Sequence, residues 1–186
     1  MVNAITVRPA ASADLDAIGA IYAHHVQTGV ATFELTAPDR AEWDRRLHTV
    51  RERELPFVVA IFDDTVIGYA YCAPWKTRPA YHHTVEDSIY LAPEATGRGV
   101  GGMLMTALLD GCAAAGIREV IAVIVDTGDA AASLALHRKH GFVDAGRLRA
   151  VGFKHGRLLD TVLLQCSLCA KHHAGEASIP APPAWQ

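Results

Sequence analysis

Glu86, Ser88 and Tyr90 alternate in the run Thr84-Val85-Glu86-Asp87-Ser88-Ile89-Tyr90-Leu91. On an extended strand they share one face. A carboxylate at the inner end of that face, beside the rings of Tyr81 and Tyr90, would have its pKa raised by desolvation and would suit a general base. On residue type alone, the competing reading is a salt-bridged strand carboxylate. Downstream, Gly97-Arg98-Gly99-Val100-Gly101-Gly102 leads into a helical run that starts near Met103. A strand, a glycine-rich bend and a helix make an anion site: free N–H groups and the helix dipole favour phosphate, and glycine lets the backbone come close. A tight turn is the alternative. Gly101-Gly102-Met103 lacks the Lys and hydroxyl of a P-loop, and the bend does not follow a first strand as a dinucleotide fingerprint does. Lys76 and Arg78 stand in the irregular stretch 74–83. As loop cations they suit an oxyanion, Arg through a bidentate fork, with a solvated loop as the alternative.

The elements that must position these groups follow from periodicity. Strands are expected at 5–8, 57–62, 66–72, 85–91, 118–125, 142–151 and 158–168. Asp63-Asp64 turns the second strand into the third. Ser12 is expected to cap a helix through Val26, and Asp39 one that carries Trp43, Leu47 and Val50 on one side. The helix after the glycine bend is closed by Gly116. Asp129 is expected to cap a fourth helix that Gly141 ends. The order β-α-α-β-β-β-α-β-α-β-β implies an α/β fold whose sheet mixes parallel and antiparallel pairs.

The 186 residues are 51% hydrophobic and 20% charged, as in one ordinary globular domain. Seventeen Lys+Arg against twenty Asp+Glu leave a charge of −3, which argues against a nucleic-acid partner. No apolar run reaches the roughly 18 residues of a membrane span, and no signal peptide is visible. Four cysteines, at 72, 112, 166 and 169, are too few and too irregular for a disulfide scaffold, so a reduced, cytoplasmic setting is expected. Residues 1–168 read as the domain and 169–186, with three prolines, as a mobile tail. Cys166, Cys169, His172 and His173 resemble metal-ligand spacing but straddle a strand end, so no metal is expected. His24-His25 and His82-His83 read as structural or surface pairs, with His83 able to approach the site.

Tyr90-Leu91…Arg98-Gly99-Val100-Gly101-Gly102 resembles the coenzyme A pyrophosphate loop of GNAT acyltransferases, with Thr96 where their signature has Gln or Arg. Leu136-His137…Gly141-Phe142 resembles a second GNAT feature, a helix that ends in Gly-Phe. Ala31-Thr32-Phe33-Glu34, Gly68–Tyr71, Trp75–Tyr81, Thr84–Tyr90 and Leu148–Arg157 are similar to the phosphinothricin N-acetyltransferase family. That resemblance implies a GNAT fold, a mixed sheet of about seven strands flanked by four helices. It implies acetyl transfer from acetyl-CoA, as cosubstrate, to the α-amine of phosphinothricin-like amino acids by a homodimer. Methionine sulfone or sulfoximine is the alternative substrate; Trp75-Lys76-Thr77-Arg78 favours phosphinothricin. A non-catalytic acyl-CoA sensor is a further alternative.

By the same resemblance Glu86 is the base, and His137 stands where many GNAT enzymes place the Tyr that protonates the leaving thiolate; a packed helix histidine is the other reading. Phe33, Lys76, Arg78, Tyr81, Tyr90, Val123 and Val151 would line the substrate. Ile89, Leu91, Arg98, Gly99, Val100, Gly101, Gly102, Met103 and Ser133 would hold coenzyme A. A backbone N–H near Ile89–Leu91 would stabilise the oxyanion.

Overall fold

The computed structural model describes residues 4–168, and the expected tail with Cys169, His172 and His173 lies outside them. Seven strands, β1 (Thr6–Pro9), β2 (Phe57–Phe62), β3 (Thr65–Pro74), β4 (Thr84–Leu91), β5 (Glu119–Val125), β6 (Val143–Lys154) and β7 (Arg157–Ser167), form one sheet in the order β1-β2-β3-β4-β5-β7-β6. Four helices flank it: α1 (Leu15–Thr28), α2 (Arg40–Glu52), α3 (Val100–Ala114) and α4 (Ala131–Lys139). All neighbouring strands are antiparallel except β4 and β5. The expected element order and sheet type are those observed.

Alternation along β3 sorts the layers. Tyr69 meets Trp43 of α2, with ring centroids 5.7 Å apart, whereas Cys72 meets Cys112 of α3, with sulfurs 3.3 Å apart. An odd separation puts these two contacts on opposite faces. The α1 stripe Leu15, Ile18, Tyr22 and Val26 is buried, as are Trp43, Leu47 and Val50 of α2. Helix α3 buries Val100, Leu104, Met105, Leu108, Leu109 and Cys112.

Both helix-ending glycines take the left-handed conformation, Gly116 at φ 73° and Gly141 at φ 90°. Ile117 N–H bonds the Cys112 carbonyl and Gly116 N–H that of Ala113; Phe142 and Gly141 repeat the pattern on His137 and Arg138. These paired bonds satisfy the last carbonyls of each helix. Asp63 and Asp64, at φ 49° and 59°, form the expected β2–β3 reversal.

Three expectations need correction. Ser12 opens a short 3-10 turn and its hydroxyl bonds Asp44 and Arg40 instead of capping α1, while the Asp14 carboxylate takes the Ala11 N–H and binds Arg8. Asp129 sits inside the 3-10 turn Gly128–Ala130 that precedes α4, whose capping residue is Ala130. Strand β6 runs on to Lys154, because His155 (φ 48°) and Gly156 (φ 73°) supply the two positive-φ positions of a tight hairpin.

Candidate active site

Strand β4 differs between its two faces and between its two edges. It pairs with β3 along its whole length but with β5 only at Thr84↔Glu119, Val85↔Val120 and Glu86↔Ile121. Past Glu86 the parallel ladder stops, although both strands continue. Glu86, Ser88 and Tyr90 are in register with Ala73, Tyr71 and Tyr69, on the face covered by α1 and α2. Val123 lies on the same face of β5, two residues past Ile121.

The Glu86 side chain is half-buried and makes no hydrogen bond or ion pair with the described residues. Burial raises its pKa and the neighbouring Asp87 charge adds to this, while Lys76 pulls it down. An unpaired, partly desolvated carboxylate with a raised pKa has the character of a proton acceptor. Tyr90 is packed edge-on against Tyr22 (4.9 Å) and stacked near Tyr69 (5.7 Å), so its ring is fixed as a wall.

Asp87, one residue on, points to the opposite face. It is buried, and its Oδ2 accepts from His137 Nε2 at 3.0 Å. His137 Nδ1 donates to the Ser133 carbonyl at 2.7 Å. A carbonyl can only accept, so Nδ1 carries a proton, and Nε2 faces the Asp87 carboxyl, which favours the protonated ring. Burial alone would lower the His137 pKa, but the hydrogen bond and charge of Asp87, with the Ser133 carbonyl, outweigh it and raise it. His137 therefore packs beneath the sheet, against Phe142 at 4.9 Å, as a structural pair with Asp87. Asp87 Oδ1 is buried without a partner among the described residues.

The β4–α3 connection passes through a 3-10 turn, Pro93–Ala95, and then Gly97 (φ 77°) and Gly99 (φ 81°). These two positions need glycine. Gly101 is different: a Cβ there would meet Leu136 of α4 at 3.2 Å, so its smallness serves the packing of α3 on α4. Val100 is fully buried and leaves only its backbone to a ligand. Arg98 lies over the Phe62 ring at 4.5 Å. Met103, Gly99 and Gly102 border a groove of about 630 Å³ with Lys139 and His140. Ser133 is half-buried in the first turn of α4. Ile89 and Leu91 are half-buried on the α3 face, and the Leu91 carbonyl accepts from His25 Nε2 at 2.8 Å.

The remaining expected substrate residues do not all converge. Phe33 lies across Gly152 of β6, where a Cβ would come within 2.2 Å of its ring. Lys76, Arg78 and Tyr81 instead line a cavity of about 340 Å³ with Arg53, His82 and His83, at the start of β4. Lys76 Nζ rests 4.4 Å over the Trp75 ring. Val151 is exposed, on the side of β6 opposite Gly152. Sequence reasoning missed Asp87, the buried Lys154 and Arg46, which binds Glu34 and Glu42 at 2.8 Å beside Trp43. Of these only Arg46 had a local signal, four residues after Glu42.

The family described as "Acetyltransferase (GNAT) family" matches residues 20–142. The chain belongs to this family. It is 47% identical, over 95% of its length and 87% of the relative's, to a phosphinothricin N-acetyltransferase of Alcaligenes faecalis. It is 35% identical, over 88% of its length and 94% of the relative's, to an L-methionine sulfoximine/L-methionine sulfone acetyltransferase of Pseudomonas aeruginosa. A crystal structure of a phosphinothricin acetyltransferase from Sinorhizobium meliloti, in complex with AcCoA, superposes with a TM-score of 0.85 at 44% identity, covering 98% of this chain and 97% of that one.

Proposed function

We propose that this acetyltransferase moves the acetyl group of acetyl-CoA onto the α-amine of phosphinothricin or a similar amino acid, with Glu86 as general base. The observation that carries this is the unpaired, half-buried Glu86 carboxylate at the point where β4 parts from β5, on the strand that leads into the Gly97–Gly99 bend and α3. The 44%-identical structure in complex with AcCoA and the 47%-identical phosphinothricin N-acetyltransferase support the choice of reactants.

Acetyl-CoA supplies an activated acyl group. The bend and the first turn of α3 are assigned its phosphates, through backbone N–H groups without intrahelical partners. Glu86 takes the proton that the substrate ammonium must lose before attack. The β4 backbone from Ile89 to Leu91, past the last β4–β5 pair, is assigned the charge that develops on the thioester oxygen. Phe33, Tyr90 and Val123 are assigned the walls of the amine site, and Lys76, Arg78 and Tyr81, which line the separate cavity at the start of β4, are assigned its anionic groups because the Lys76 charge reaches Glu86. His137 is assigned to holding α4 on β4, not to protonating the thiolate, because both its ring nitrogens are already bonded.

A homodimer fits the β6–β7 hairpin, which exposes Val143, Leu148, Val151 and Phe153 on the edge strand β6 and Leu158 on β7. A reducing, cytoplasmic site of action fits three buried free thiols, Cys72, Cys112 and Cys166. Among the described residues no helix is long and apolar enough to cross a membrane, and no group of three ligating side chains could hold a metal.

Thiol release from acetyl-CoA, measured against phosphinothricin, methionine sulfone and methionine sulfoximine, tests the reading. The expected order puts phosphinothricin first in kcat/KM. A preference for the sulfone moves the assignment to the second substrate class, and no amine-dependent thiol release with any amine overturns the enzymatic reading in favour of an acyl-CoA sensor.

A further inference from the structure

Lys154 is 3% exposed, yet it lies on a hairpin whose neighbouring side chains, Phe153 and His155, face solvent. Among the described residues no carboxylate lies within ion-pair distance of its ammonium, and Glu34 acts on it through its charge alone. Its Nζ donates to the Thr32 carbonyl at 2.9 Å, 122 residues away in the chain. Burying an ammonium costs solvation that a Leu or Met at this position would avoid, so packing alone does not account for it. What the charge gains is a strong hydrogen bond to the residue that precedes Phe33.

The segment around Phe33 is fastened from several sides. Thr32 Oγ1 is 2.6 Å from the Tyr22 hydroxyl, and Glu34 N–H donates to the same Oγ1 at 3.2 Å. Arg46 holds the Glu34 carboxylate, and His155 Nε2 donates to the Gly29 carbonyl at 3.2 Å. Gly152, two residues before Lys154 and so on the same strand face, leaves the space that the Phe33 ring fills. One strand thus presents two devices to one loop: a cation that grips the backbone at Thr32 and a missing side chain that receives Phe33.

We infer that Lys154, together with Gly152, is a positioning pair for the amine pocket: it seats the Phe33 ring, and the seat determines how well the substrate side chain is held beside Glu86. This rests on the reading of Phe33 as a wall of that pocket. Neither residue touches the reacting atoms, and neither borders the coenzyme A bend.

Steady-state kinetics of Lys154→Met with the best amine and with acetyl-CoA test it. The amine KM is expected to rise about tenfold, the scale of one lost hydrogen bond to a charged group, while kcat at saturating amine and the acetyl-CoA KM stay unchanged. Gly152→Ala, which keeps the Lys154 bond but displaces the ring, is expected to give the same split, and it decides the matter if Lys154→Met does not fold. Phe33→Ala should itself raise the amine KM, and Lys154→Met should add nothing in that background. A lower Tm with both KM values intact, in Lys154→Met or Gly152→Ala, reduces the pair to a structural staple and overturns the inference alone. If Phe33→Ala leaves the amine KM unchanged, the wall reading falls and the inference falls with it.

Discussion

Glu86 and Asp87 are adjacent carboxylates on one strand, and the two faces of β4 give them opposite fates. Asp87 enters the α3–α4 face, where the His137 ring meets it and both groups are buried. Glu86 enters the α1–α2 face, half-buried and unanswered, with Lys76 near enough to act through its field alone. Burial is common to both. The partner makes one group architecture, and its absence leaves the other with a raised pKa.

The largest effect that tests this contrast comes from Glu86→Gln. Loss of a general base should lower kcat by about 10²- to 10⁴-fold while acetyl-CoA binding is retained. In the unaltered protein, kcat/KM should fall on the acid side at a pH above the usual carboxylate range, because the Glu86 pKa is raised and only the deprotonated form accepts a proton. A variant that keeps its kcat across the pH range removes Glu86 from the mechanism.

Asp87→Asn should act on stability first. It leaves a buried imidazolium without its anion, a change that costs about 3–5 kcal/mol, read by denaturant unfolding. The sign of the pH dependence follows from the raised His137 pKa. The contribution of the pair is full below the unfolded-state value of about 6.5 and is lost as pH rises through the higher folded value. The same variant removes an anion that helps to raise the Glu86 pKa, so the acid limb of kcat/KM should move to lower pH. An unchanged melting profile would mean that the two carboxylates do not differ as described.

Lys76→Met and Arg78→Met give the smaller effect. Each should cost roughly ten- to a hundredfold in kcat/KM if it holds an anionic group of the substrate. The residue on a phosphinate should penalise phosphinothricin more than methionine sulfone, and the residue on the α-carboxylate should penalise both alike. Only Lys76→Met should also move the acid limb upward, since its charge lowers the Glu86 pKa. Equal losses on both substrates from both variants would favour the sulfone reading.

How far the chain could be read in advance depended on distance along it. Trp43, Leu47 and Val50, spaced four and three apart, announce a helix face, and Gly116 and Gly141 announce helix ends, because each signal is local. The glycine bend was legible for the same reason. The Asp87–His137 pair spans 50 residues and the Lys154–Thr32 bond 122, and nothing near either member marks its partner. Glu86 could be placed on a face from alternation, but its lack of a partner is a property of everything packed around it. Ser12 misled because its hydroxyl is engaged by Asp44 and Arg40 of α2, more than twenty residues away, while Asp14 takes the Ala11 N–H.

Beneath the Phe33 loop, Val30, Val125 and Leu159 form a small apolar cluster separate from the main core. Three side chains anchor far less than the continuous layer under α3, so the Phe33 loop depends on its hydrogen bonds to Tyr22, Arg46 and Lys154 more than on packing. Amide protons in the Phe33 loop should therefore trade with deuterium well before those of β3 and β4.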